Sequence, residues 1–177
     1  MAVRPLKLHW PHTTPSLLAR PSHCRSRNLD LSGQPLPIRI KRVDPALPLP
    51  KHETRGSVGF DLLCRNPVTV PPGEIRLIPA NIIVAVPEGF MLMVASRSSL
   101  AIKKGLMLAN SVGIIDQDYR GANDEVMVQV YNMKDQPVDV ERGERLAQGI
   151  FVRIAQVEWE EVSQMDDSSR GGFGSTG

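Results

Sequence analysis

The sequence predicts an all-β fold: a sandwich, jelly roll or barrel. Three observations predict it. The apolar runs are short, several alternate with period two, and Pro/Gly clusters separate them. No internal repeat is visible.

Taken in order, Ile38-Arg39-Ile40-Lys41-Arg42-Val43 alternates and reads as a first strand. Val68-Thr69-Val70 is followed by Pro71-Pro72-Gly73-Glu74, a strong turn signal. Ile75 to Ile78 and Ile82 to Val86 follow, with Pro79 forcing a break between them. Pro87-Glu88-Gly89 turns the chain into Met91 to Ala95. A short helix fits residues 98–104, with Gly105 closing it. Leu106 to Ala109 and Val112 to Ile115 are short strands near a turn. Val126, Val128 and Val130 alternate with Met127, Gln129 and Tyr131. Ile150 to Trp159 is rich in β-branched residues and alternates in part.

The ends read differently. Of 177 residues, the first 55 carry ten Lys/Arg against three Asp/Glu, and the remainder eleven against sixteen. Nine of the fifteen prolines fall in the first fifty residues. Residues 1–36 read as a disordered basic arm, 37–163 as the folded domain and 164–177 as a flexible glycine-rich arm. Pro5, Pro11, Pro15 and Pro21 argue against an amphipathic transit helix, so organelle targeting is not favoured. The expectation is an intracellular protein of cytoplasm or nucleus. A net charge of +2 gives no electrostatic reason to expect nucleic acid, and no apolar run reaches membrane-spanning length.

Two cysteines, Cys24 and Cys64, are too few for a disulfide framework or a thiolate metal cluster. All four histidines lie within the first 52 residues. From Glu53 onward there is none, so a site built on that part has no Ser-His-Asp triad, no Cys-His pair and no His-ligated zinc. Its chemistry is left to carboxylates, hydroxyls, arginines, backbone amides or a hard oxygen-bound metal.

Five segments offer such chemistry. In Gly59-Phe60-Asp61-Leu62 a lone acid interrupts an apolar alternation, as a surface residue or a metal-shell ligand. Arg97-Ser98-Ser99-Leu100 offers a guanidinium, two hydroxyls and helix-start amides to a phosphate; an ordinary Ser cap explains it equally well. Gly113-Ile114-Ile115-Asp116-Gln117-Asp118-Tyr119-Arg120-Gly121 sets two acids and a tyrosine on a turn, where a carboxylate serves as general base or Asp118 is only a turn residue. Gly143-Glu144-Arg145-Leu146-Ala147-Gln148 starts a strand carrying a glutamine that, if buried, needs partners. Gly172-Phe173-Gly174-Ser175-Thr176-Gly177 matches GxGxxG, but no strand closely precedes it, so a dinucleotide-binding turn is not expected. Its amides and hydroxyls suit an anion and Phe173 a base; composition alone favours a floppy tail.

In this order the five segments resemble the all-β, trimeric dUTPase family, the deoxyuridine triphosphate nucleotidohydrolases. The likeness covers about residues 37–177. It implies a jelly roll forming a homotrimer, with three active sites at subunit interfaces, that cleaves dUTP to dUMP and pyrophosphate using Mg²⁺. By the resemblance, Asp116 matches the general base that activates water against the α-phosphate. Tyr119 matches the residue that packs on the deoxyribose. Asn110 and the backbone of Gly113, Ile114 and Ile115 match a uracil-reading hairpin, with Met127 opposite on the next strand. Arg97, Ser98, Ser99 and Gln148 match phosphate contacts. Asp61 matches an acid that reaches the metal through water. Phe173 matches the aromatic that stacks on uracil, and Gly174, Ser175 and Thr176 the part of the arm that wraps the phosphates.

Three departures stand out. Ser99 replaces a usual glycine. Three extra residues, Ala122-Asn123-Asp124, precede the strand of Val126. Arg170 lies three residues before Phe173 rather than five, and Ser168 holds the usual place, so contact of Arg170 with the γ-phosphate requires a shorter arm. Two other functions fit less of the chain. A dCTP deaminase relative would rely on a glutamate at the base and lack the terminal arm. A non-catalytic nucleotide-binding, signalling trimer would bind dUTP without turnover.

Overall fold

Eleven β-strands and one short helix make up the described part of the chain. The computed structural model describes residues 36–165 with Ser168, Ser169 and Gly171. The chain divides into two units, Met1–Leu36 and Pro37–Gly177.

The strands are β1 (Ile40–Arg42), β2 (Phe60–Leu63), β3 (Val68–Val70), β4 (Ile75–Pro79), β5 (Ile82–Val84) and β6 (Phe90–Ser96). After helix α1 (Leu100–Lys104) come β7 (Leu106–Leu108), β8 (Gly113–Ile115), β9 (Met127–Asn132), β10 (Val138–Val140) and β11 (Arg145–Arg153). They form a four-stranded sheet β2-β11-β6-β8, a three-stranded sheet β4-β9-β7, and the pairs β1-β5 and β10-β3. Every pairing is antiparallel. Strands of all four sheets feed one core, through Leu62, Val70, Ile78, Val84, Leu92, Val130, Val138 and Leu146 among others. This is a jelly roll, in which alternation along each strand sends one face inward. In β9, Val128 and Val130 are buried while Met127 is exposed.

Two asparagines are the buried polar residues of this region. Asn132 donates from Nδ2 to the Val70 and Gln136 carbonyls and accepts from the Lys134 amide. Asn81 adopts φ 66°, a left-handed turn between β4 and β5. Its side chain exchanges hydrogen bonds with the Asp44 backbone in both directions.

Several elements depart from the sequence reading. β2 and β10 are strands that the sequence reading lacks; they are short, and no Pro-Pro-Gly turn marks them as it marks β3. The first strand keeps only Ile40–Arg42, although flanking bonds from Val43 to Asn81 and from Ala85 to Arg39 extend its contact. The segments beginning at Gly143 and at Ile150 are one strand, and it stops at Arg153 rather than Trp159. Past the Ile154 amide, bonded to the Gly89 carbonyl, no strand among the described residues pairs with it, and Trp159 is 93% exposed. The helix is as expected: Gly105 closes it at φ 70° with its N–H on the Ala101 carbonyl.

Candidate active site

A first cluster forms where β2, β11 and the end of β6 lie side by side. Asp61 pairs in register with Gln148, and Gln148 with Ala95, so the three side chains share one face. Phe60 and Leu62, on either side of Asp61, take the core face and leave its carboxylate outside. A shift in the pairing between Arg145 and Ala147 lets Arg145 face Asp61 as well. Arg97 Nε is 2.9 Å from one carboxylate oxygen of Asp61 and Arg145 Nη1 is 3.1 Å from the other. Arg145 also meets Glu53 at 3.1 Å, and Arg97 Nη1 donates to the Arg145 carbonyl at 3.3 Å.

These residues line a cavity of about 290 Å³ with Ser57, Val58, Gly59, Ser98 and Gln148. Gln148 is half-buried, and its Nε2 donates to the Ser96 carbonyl at 3.1 Å. Among the described residues, three of the five N–H donors of Arg97 are left for a ligand. Two guanidiniums oriented by a carboxylate suit a phosphate, which Arg meets with paired N–H bonds. Ser99 caps α1 without a side-chain cap bond, so its hydroxyl is not used there. Its φ of −92° is ordinary for any residue, so serine stands in place of glycine without strain.

The residues expected to read the base lie elsewhere. β7 and β8 do not pair as a hairpin: β7 joins β9, whereas β8 joins β6. The connection at Asn110 therefore passes from one sheet to the other, with Ser111 at φ 63° and the Val112 amide on the Asn110 carbonyl at 2.7 Å. Gly113 lies so close to Val94 that an added Cβ would stand 3.1 Å from the Val94 Cβ. Ile114 is exposed, while Ile115 packs on the core. Met127 opens β9 opposite Pro79, so the strand next to β8 is β6 rather than that of Met127.

Asp116 follows β8, exposed, beside a second cavity of about 310 Å³ lined by Phe90, Met91, Gln117, Asp118, Ile154 and Gln156. Gln117 Nε2 donates to the Phe90 carbonyl. Tyr119 has an exposed ring, and its hydroxyl donates to the Glu125 carbonyl at 3.2 Å. The extra residues Ala122-Asn123-Asp124 fold into a turn closed by the Gly121 amide on the Asp124 carboxylate.

The two clusters are far apart within one chain. Ile115 faces Leu92 in β6, so Asp116 stands level with Met91, six residues from Arg97. At roughly 3.3 Å per residue this is about 20 Å. The two cavities have no lining residue in common. Arg170, Phe173, Gly174, Ser175 and Thr176 lie outside the described residues.

A metal finds no cage here. Among the described residues no three His, Cys, Asp or Glu side chains group to hold an ion, and both oxygens of Asp61 are engaged by arginines. Such a donor set fits a hard cation carried by phosphates and met through water, as Mg²⁺ commonly is.

A family model for dUTPase matches residues 46–177. The chain belongs to the dUTPase family. A deoxyuridine 5'-triphosphate nucleotidohydrolase of Maricaulis maris is 43% identical over 150 residues, covering 80% of this chain and 97% of that protein. One from Dictyoglomus turgidum is 41% identical over 146 residues, with 79% and 97% coverage. Among solved structures, the Streptococcus mutans dUTPase aligns at TM-score 0.63 and 35% identity over 68% of this chain and 98% of that one. A staphylococcal phage 80alpha dUTPase, at 24% identity and TM-score 0.70, shares the fold. Membership makes the chain a dUTP diphosphatase, a hydrolase of nucleotide metabolism.

Two participants of this dUTPase were not singled out by sequence reasoning. Arg145 lay inside a quoted segment without a role, and only the shifted pairing of β11 shows that it faces Asp61. Glu53 gave no signal, because it reaches Arg145 from a loop 92 positions away in sequence.

Proposed function

We propose that the protein hydrolyses dUTP to dUMP and pyrophosphate, limiting dUTP and supplying dUMP. The observation that carries this reading is the cavity in which Asp61 orients Arg97 and Arg145 beside Ser98 and Gln148. In this reading the guanidiniums, the Gln148 amide and the serines hold the triphosphate. Asp116 takes a proton from a water that attacks the α-phosphorus, and pyrophosphate leaves. Charge neutralisation and alignment carry such a transfer, so cavities lined without histidine are no handicap. Asn110 and the β8 backbone read the uracil edge, with Met127 beside them. The Tyr119 ring fills the space of a 2′-hydroxyl. Mg²⁺, held by the phosphates and met by Asp61 through water, would neutralise charge and align the triphosphate. A phage phi11 dUTPase of the same fold has a structural Mg(II) ion.

The distance between Asp116 and Arg97 supports a homotrimer whose sites draw on more than one subunit. Val157, Trp159, Val162 and Met165 leave the domain exposed and offer apolar surface for a neighbouring copy. In this reading Phe173 and residues 174–176 close each site, with Arg170 toward the γ-phosphate.

The test is pyrophosphate release from dUTP, dTTP, dCTP, dATP, dGTP and UTP, each with Mg²⁺ and with chelator. Mg²⁺-dependent turnover of dUTP alone is expected. Asp116→Asn should abolish turnover and keep nucleotide binding. Ammonia release from dCTP, or dUTP binding without hydrolysis by the wild-type protein, would overturn the reading.

A further inference from the structure

We infer that Glu125 is a positioning residue for Tyr119, and through it for the choice of deoxyribose over ribose. The inference rests on the role proposed for Tyr119 and names what holds that ring. The Tyr119 ring is exposed, but its hydroxyl is tied to the Glu125 carbonyl at 3.2 Å. The Glu125 side chain is only 12% exposed. Its Oε1 accepts from the Asn81 amide and from Arg65 Nε, both at 2.8 Å, and its Oε2 accepts from Arg65 Nη2 at 2.9 Å. Bidentate charge-assisted bonds of this kind fix direction as well as distance.

The chain beyond is equally fixed. The Val126 amide donates to the Ile82 carbonyl, and the Val126 carbonyl accepts from the Ala80 amide, both at 2.9 Å. The turn between Tyr119 and Glu125 is closed on itself by the Gly121 and Asp124 bonds. The ring therefore hangs between β8 on one side and a pinned Glu125 on the other. Rejecting a single oxygen atom by contact requires the ring to stay within a fraction of an ångström. A loosened Glu125 lets the ring swing and admits the 2′-hydroxyl.

The full chain is tested by calorimetry with α,β-imido-dUTP and α,β-imido-UTP, which need no turnover. Glu125→Ala should reduce the preference for the deoxy analogue roughly tenfold, mainly by tighter binding of the ribo analogue. Glu125→Ala leaves Arg65 without its partner. The Arg65→Met/Glu125→Met replacement therefore gives the same readout with no stranded charge. Tyr119→Phe, which removes only the tether, should reproduce the loss, and adding Glu125→Ala to it should lose nothing more. An unchanged preference in folded Glu125 variants, or losses that add, would overturn the inference. So would a wild-type protein that binds both analogues alike. A wild-type protein that prefers the deoxy analogue yet releases no pyrophosphate from dUTP sinks the hydrolytic reading alone.

Discussion

Gln148 keeps its place in the cavity wall because Gly59 has no side chain. A Cβ on residue 59 would stand 2.8 Å from Gln148 Oε1 and 3.2 Å from Ile150 Cγ1. The amide is the flexible partner, so it moves. Gly59→Ala is expected to break the bond from Gln148 to the Ser96 carbonyl and to weaken dUTP-analogue binding about tenfold, read by calorimetry. Unchanged affinity would remove Gln148 from the phosphate contacts. Cys64 behaves in the opposite way, as a group sealed off. Burial pushes its thiol up to about 11, against a smaller lowering by a backbone hydrogen bond at Asn66. A raised folded value means full stability below the unfolded value of 9.0, declining as pH rises from there toward 11. In a Cys24→Ser background, iodoacetamide at pH near 8 should label Cys64 slowly in the native protein and fast in denaturant. At this scale the sequence marks candidates next to a turn or alternation, Asp61, Arg97, Asp116, Tyr119 and Gln148, of which the structure brings Asp61, Arg97 and Gln148 to one cavity and Asp116 to another. The sequence is silent on Glu53 and on the Arg145–Asp61 pair, because contacts between distant segments leave no local pattern.

Short strands depend on what fastens their ends. β9 ends at Asn132, fully buried, whose amide joins β3, the 133–136 turn and its own chain. Asn132→Ala removes the partner of the buried Val70 carbonyl and of the Gln136 carbonyl and Lys134 amide in the turn. A loss of about 2–3 kcal/mol is expected, read as a lower urea midpoint at unchanged slope. Asp44 ties the segment after β1 to the loop before β11. The Arg142 guanidinium, helped by the Ala46 amide, holds its carboxyl below the usual value of 3.8. A lowered folded value gives stability that is present above 3.8 and is lost as pH falls through the folded value. The stability gap between wild type and Arg142→Met should therefore hold steady above about pH 5 and narrow in more acid solution. A gap independent of pH would show that Arg142 acts through packing alone. β9 is legible from its alternation and β6 from an unbroken apolar run behind the Pro87-Glu88-Gly89 turn. β2 and β10 are short, as β3 is, but lack the Pro-Pro-Gly turn that marks β3. The turn at Asn110 looked like a hairpin because sequence separation is short, whereas its two strands belong to different sheets.

At the scale of the molecule, one chain holds both halves of the proposed reaction centre and keeps them apart. Asp116 and Arg97 are separated by about 20 Å of β6. That strand is the middle of a hydrogen-bonded sheet, flanked by β11 and β8, so no hinge within the domain can close the gap. If the site is assembled between subunits, two variants dead for different reasons should rescue each other. Asp116→Asn lacks the base, and Arg97→Ala lacks a phosphate contact. Each alone should be inactive. When they are co-refolded in equal amounts, an active site forms wherever Arg97→Ala supplies Asp116 and Asp116→Asn supplies Arg97. With random assortment, about one quarter of the sites meet that condition, so roughly a quarter of wild-type turnover should return. The recovered activity should elute with the oligomer, and mixing the folded proteins without refolding should restore little of it. Failure to recover activity from soluble mixed oligomers would mean that Asp116 and Arg97 serve one site from the same chain. The β6 ladder would then have to come apart during turnover.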